Sequence, residues 1–209
     1  HFFSALKGQQ TQSLAALEVL PAATLAGMSL GFSDLQTYMD NYGRYLELHK
    51  KSRKNPDVET LEWFNLLYPG EVSLACVPFR SNAQWIAVNH SRYIHQAKIQ
   101  YALLGKQEED RVMENPRPDI LQEIFGPVFG LCQADHYCYM GSCILLGSGD
   151  LLSDILGKYR TGNYHTLADA VGRTKISANF TDASNISLFL QPSVGLDLLE
   201  PLMDKRYAD

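Results

Sequence analysis

The chain has 209 residues, 45% of them hydrophobic and 20% charged, with a formal net charge of −5. That length suits one domain or two closely packed halves, and the balance excludes a disordered chain. The acidic sum gives no electrostatic reason to expect nucleic acid, and no apolar run nears the roughly 18 residues of a membrane-spanning helix.

The first residues, His1-Phe2-Phe3-Ser4-Ala5-Leu6, read as the inside of a helix, and Leu198-Leu199-Glu200-Pro201-Leu202-Met203-Asp204 again lies mid-element. Both ends therefore read as those of a piece of a longer protein. Between them a strand, serine, helix pattern recurs four times. Thr24 to Phe32 reads as a strand, and Ser33-Asp34 opens a helix to about Leu48. Trp85 to His90 reads as a second strand, with Ser91 opening a helix to about Leu104. Ser142 to Leu146 is the third, with Ser148 or Asp150 opening a helix to about Tyr159. Asn185 to Leu190 is the fourth, followed by Ser193.

Each strand is a short apolar or alternating run, and a Ser or Asp oxygen after it can accept from the unpaired N–H groups of a first helical turn. The helices carry one-sided apolar stripes: Leu35, Tyr38, Met39, Tyr42, Tyr45 and Leu46 in one, Leu151, Leu152, Ile155, Leu156 and Tyr159 in another. Glu71 to Pro78, after the turn Tyr68-Pro69-Gly70, is the expected hairpin partner of the Trp85 strand. Val128 to Cys132 and His136 to Tyr139 are expected to form a meander with the third unit. Hairpins among strand–helix units imply an α+β fold with an antiparallel or mixed sheet. The expected organisation is one compact domain over 1–209, with possible similar halves 1–105 and 120–209 joined by the charged, proline-bearing segment 106–119.

The basic cluster His49-Lys50-Lys51-Ser52-Arg53-Lys54 fits a helix C-terminus, where cations complement the dipole. An anionic partner such as a lipid headgroup is the competing reading. Asn89, Asn179 and Asn185 each begin an Asn-x-Ser/Thr triplet, which matters only in a eukaryotic secretory protein.

The four cysteines are Cys76, Cys132, Cys138 and Cys143, and their spacing matches neither a zinc pair nor a C-x-x-C redox motif. If Met140-Gly141 is a two-residue hairpin loop, Cys138 faces Cys143 and a bridge can form. The competing reading is small buried thiols on strands.

The sequence presents no catalytic, cofactor-binding or metal-ligating set. Gly147-Ser148-Gly149-Asp150 is nearest to a nucleophile elbow, but Leu146 stands where its first glycine belongs, and a helix cap explains Ser148. No phosphate-cradling glycine motif occurs. His90 and His95 lack the spacing of a shared metal, and Glu108-Glu109-Asp110 with Glu114 reads as a solvated charge run. A groove lined by Tyr137, Tyr139, Tyr159 and Tyr164 is a recognition hypothesis.

Taken in order, Leu20-Pro21-Ala22-Ala23-Thr24, Pro69-Gly70-Glu71-Val72, Tyr139 to Ser148, Tyr159-Arg160-Thr161-Gly162, Leu167 and Ser184 to Leu190 span nearly the whole chain. The set resembles the N-terminal α/β region of large uncharacterised envelope proteins of Bacteroidetes-type bacteria. That resemblance implies an exported or lipid-anchored protein and carries no catalytic residues. The expectation is a non-enzymatic binding or scaffold module, without a cofactor, for a protein, glycan or lipid-derived ligand. The alternative is a hydrolase with a dispersed site drawing on Asp135, His136 and Ser148. A purely architectural role would place apolar surface near the chain ends.

Overall fold

A computed structural model describes residues 2–49, 64, 69–104, 111–172 and 183–191. Its longest strands are β3 (Pro69–Phe79) and β4 (Asn82–Ser91), which pair antiparallel as a hairpin closed by Arg80-Ser81. The β-branched and apolar run from Val72 to Val77 makes this the natural sheet centre. Around it lie β2 (Ala26–Gly31), β5 (Met113–Glu114), β6 (His136–Met140), β7 (Cys143–Gly147) and β9 (Ile186–Leu190). The order is β5-β6-β7-β4-β3-β2-β9, and every neighbouring pair is antiparallel. A separate two-residue ribbon of β1 (Gln12–Ser13) and β8 (Ala183–Ser184) lies against Gly31 at the end of β2.

The α+β expectation holds, with an antiparallel sheet. The described strands of the two expected halves do not form separate sheets. β4 pairs with β7, and β2 pairs with β9, so both spans enter one sheet. Part of the expected joining segment is also built in: β5 adds to β6, and the buried Asn115 donates to the Ala134 carbonyl at 2.6 Å.

Alternation of side chains divides the core between the two faces. On one face, Leu30, Val72, Leu74, Ala87, Ile144 and Leu146 meet α1 (Leu35–Leu48) and α3 (Ile120–Phe125). There Phe32, Tyr38, Phe64, Phe125 and Phe129 pack ring to ring at 5.1–6.0 Å. On the other, Ala75, Val77, Ile86, Val88, Cys138 and Leu145 meet α4 (Gly149–Arg160) and α5 (Leu167–Gly172). Each buried Leu, Ile or Phe here contributes about 1.5–3 kcal/mol by area.

The serine-cap pattern survives only in part. Before α1, Asp34 rather than Ser33 caps, its Oδ1 accepting from the Thr37 N–H at 2.5 Å. Ser33 instead accepts the Gln10 N–H. Ser91 remains in β4, and α2 (Ile94–Leu104) starts three residues later. Ser193 lies outside the described residues. The expected strand at Val128 to Cys132 is a 3-10 helix, Pro127–Leu131. Gly126, at φ 95°, turns the chain, and Pro127 supplies a fixed φ without needing an N–H partner. Tyr159, expected in the buried stripe of α4, is 48% exposed.

Candidate functional site

The β6–β7 hairpin brings the sequence-selected groups together. Its register pairs His136 with Gly147, so His136 sits beside the chain as it leaves β7 and enters α4 through Ser148. A depression of about 470 Å³ forms there, lined by Gln84, Val112, His136, Ser148, Gly149, Asp150 and Ser153. Asp135 stands at its side, with its Oδ1 3.2 Å from His136 Nδ1. The pair is close without being aligned, since neither atom makes a hydrogen bond. Consecutive residues rarely aim their side chains at each other, which accounts for the poor geometry.

The serine is committed elsewhere. Ser148 has the extended backbone of an N-cap, but its side chain caps no N–H. Its Oγ donates to Gln84 Oε1 on β4 at 2.7 Å. A carboxamide oxygen has too little basicity to take the proton, so this contact does not activate a nucleophile. The Cδ2–Nε2–Cε1 side of the His136 ring lies against Gly149, where any added Cβ would be 3.2 Å from all three atoms. Asp150, in the first turn of α4, pairs with Arg80 at 3.0 Å on an exposed surface. The structure thus gathers Asp135, His136 and Ser148 at one place but does not link them as a relay.

The cysteines are all free. The hairpin loop is Gly141-Ser142, one residue later than expected, with Gly141 at φ 59° taking the left-handed position. The shift places Cys143 opposite Met140 and Cys138 opposite Leu145, so the two thiols are diagonal neighbours rather than cross-strand partners. Burial pushes the thiols of Cys132, Cys138 and Cys143 up to about 12. Among the described residues no group of His, Cys, Asp and Glu is arranged to hold a metal ion.

The four tyrosines do not share a groove. Tyr137 and Tyr139 pack at 5.7 Å with the core on the α1 face, whereas Tyr159 and Tyr164 pair at 6.1 Å beside α4 on the other. Tyr164 is a structural tie, its hydroxyl donating to the Val19 carbonyl at 2.5 Å. Asn89 is buried within β4, and Asn185 donates to the Gln10 and Gly31 carbonyls. Residues 50–54, Glu108-Glu109-Asp110 and Asn179 lie outside the described residues. No helix among those described is long and apolar enough to cross a membrane.

A second surface emerges from the strand register alone. Leu190, Ala26, Cys76 and Trp85 stand opposite one another across β9, β2, β3 and β4, on the face that carries α1. All four are partly or wholly exposed, and Leu188 beside Met28 continues the patch. Leu188 is 75% and Leu190 63% exposed, so this corner of the sheet is apolar and is not covered by the described residues. Sequence reading identified the Asn185 to Leu190 strand but not this surface. The available signal was an alternating Ile186, Leu188, Leu190 series without a charged residue to mark an outer face.

The fold and these two surfaces define an α+β protein, whose described residues form a seven-stranded antiparallel sheet with helices on both faces. The chain matches no protein-family model, no curated protein and no solved structure.

Proposed function

We propose that the chain is a non-enzymatic binding or scaffold module of the cell envelope, exported or lipid-anchored as part of a longer protein. It engages its partner through the uncovered corner of the sheet. The observation that carries this reading is the exposure of Leu188 and Leu190 at the end of the row formed with Ala26, Cys76 and Trp85. Contiguous apolar surface of this kind is a feature of interaction sites. Of a protein, a glycan and a lipid-derived ligand, a protein fits best, because a flat sheet corner presents apolar area with few polar groups to fix a small molecule. The envelope placement rests on the family resemblance alone. The bond from Ser148 to Gln84 supports a binding role over the hydrolase alternative.

The test uses the chain and its Leu188→Glu, Leu190→Glu double variant as paired baits in a detergent extract of the source cell's envelope. Both are first checked for equal helix and sheet content. The reading expects a protein that the chain retains and the double variant loses. Equal retention of every captured protein by both baits overturns it. Recovery of the parent protein only in the soluble cytoplasmic fraction overturns the envelope placement.

A further inference from the structure

The outer edge of β9 carries more than apolar side chains. Gly31 N–H donates to the Asn185 carbonyl, and Gln191 N–H donates to the Leu25 carbonyl. These two bonds fix the phase of the β2–β9 ladder: Asn185, Ser187, Phe189 and Gln191 turn their backbone groups toward β2. Ile186, Leu188 and Leu190 therefore turn their N–H and C=O groups outward, and no described residue bonds to them. Residues 183–191 contain no charged residue, no proline and no glycine. Edge strands that stay free in solution are ordinarily protected by charge, proline or a bulge. β9 has none of these.

We propose that β9 is a self-pairing edge, at which a second copy of this chain adds antiparallel and extends the sheet across a two-fold axis at Leu188. The proposal rests on the binding reading above and names the partner of that same corner. Three features favour a second copy over another extended peptide. Pairing about Leu188 sets Leu188 against its own counterpart and Ile186 against Leu190, so every outward-turned residue meets an apolar equal on the same face. The same register lets all three outward residues exchange backbone bonds, because they have the same phase on both strands. The neutral strand also meets no like charge on self-pairing, although the chain as a whole is at −5. The exposed row Leu190, Ala26, Cys76 and Trp85 then continues into the Ile186 of the second copy, forming one apolar face across the junction.

Sedimentation velocity of the full chain from about 1 to about 500 µM, a span that covers both tight and weak association, reads the mass directly. The expected result is a doubling of mass that Leu188→Lys abolishes. Because Leu188 is largely exposed, the lysine variant should keep its circular dichroism spectrum. A second variant, Leu188→Cys, reads the register: at a hydrogen-bonded antiparallel pair the Cα separation of about 5.5 Å suits a disulfide. Oxidation with diamide should trap a covalent dimer of Leu188→Cys but not of the parent chain or of Ile99→Cys, which places a thiol on another exposed surface.

A mass that stays monomeric throughout, or a dimer untouched by Leu188→Lys and not trapped by Leu188→Cys, overturns self-pairing. A monomer whose Leu188→Glu, Leu190→Glu variant still loses a captured protein overturns self-pairing alone and leaves the binding reading standing. Loss of neither mass nor captured protein overturns both.

Discussion

The carboxylate of Glu71 accepts the backbone N–H of Ala15 at 2.6 Å, across 56 positions of sequence. The same oxygen accepts from Ala16 at 3.2 Å, while the other accepts the Ser73 hydroxyl at 2.6 Å, and Ser73 in turn meets the Ser29 hydroxyl. Glu71 is 1% exposed, so three donors offset the burial of its carboxyl group. The group caps the 3-10 turn Ala15–Glu18 and ties it to the middle strands of the sheet. Glu71→Gln should cost about 1.5–3 kcal/mol, the range for hydrogen bonds to a charged group, and Ser73→Ala about 1 kcal/mol. Urea unfolding of the three proteins measures this, and an unshifted midpoint for Glu71→Gln would remove the carboxylate's assigned role.

His90 stands opposite Glu71 on β4 and makes stability depend on pH. Desolvation by burial is the main cause that pushes its pKa below the ordinary value of 6.5, with Glu71 drawing it partly back up and Arg92 lowering it further. A depressed histidine is protonated more readily in the unfolded chain. Its contribution is therefore complete above the unfolded value of about 6.5 and is lost as pH falls from there through the folded value. The urea midpoint should drop between about pH 7.5 and about pH 5.5, and His90→Gln should reduce that drop. An identical pH slope in the variant would show that other groups carry the dependence.

Ser148 donates its hydroxyl to the Gln84 amide oxygen, and among the described residues no base accepts that proton. A fluorophosphonate probe, which labels activated serines, should leave Ser148 unmodified. Labelling that disappears in both Ser148→Ala and His136→Ala would instead establish a working pair and revive the hydrolase reading. Ser148→Ala should otherwise cost only about 1 kcal/mol in stability, the loss of one ordinary hydrogen bond.

What was legible in the chain followed local physics. The Glu71 to Pro78 and Trp85 to His90 runs formed their hairpin, and the Leu35 to Leu46 stripe faces the core, because alternation and helical spacing are properties of neighbouring residues. The helix cap was legible as a type of residue but not as an atom: Asp34 caps where Ser33 was equally suited, and Ser148 turned to Gln84, 64 positions away. Val128 to Cys132 has strand-like composition, yet Gly126-Pro127 and the burial of Phe129 against Phe125 draw it into a 3-10 turn. The joining of β2 to β9 and of β4 to β7 had no local signal, since any apolar strand pairs acceptably with another. The exposed corner was hidden for the same reason: it exists only once four strands from distant parts of the chain are set in register.

The one-residue shift of the β6–β7 turn gives a chemical test of that register. With the loop at Gly141-Ser142, Cys138 lies opposite Leu145 and packs in the core that faces α4, as does Cys143. Burial raises both thiols, and that of Cys132, to about 12, so at mildly alkaline pH they stay protonated, and the thiolate is the form that reacts. Cys76 is also raised by burial but is only half-buried, in the exposed row with Trp85. A disulfide-exchange reagent should therefore modify at most Cys76 in the folded chain and all four thiols in denaturant, without reductant. Two thiols missing from the denatured count, with a Cys138–Cys143 bridge found by peptide mapping, would mean that the loop sits one residue earlier than the observed pairing of Met140 with Cys143. Faster modification of Cys76 in Leu190→Ala than in the parent would add that the exposed row is continuous across β9, β2 and β3, because removing the outer leucine opens the thiol from its side.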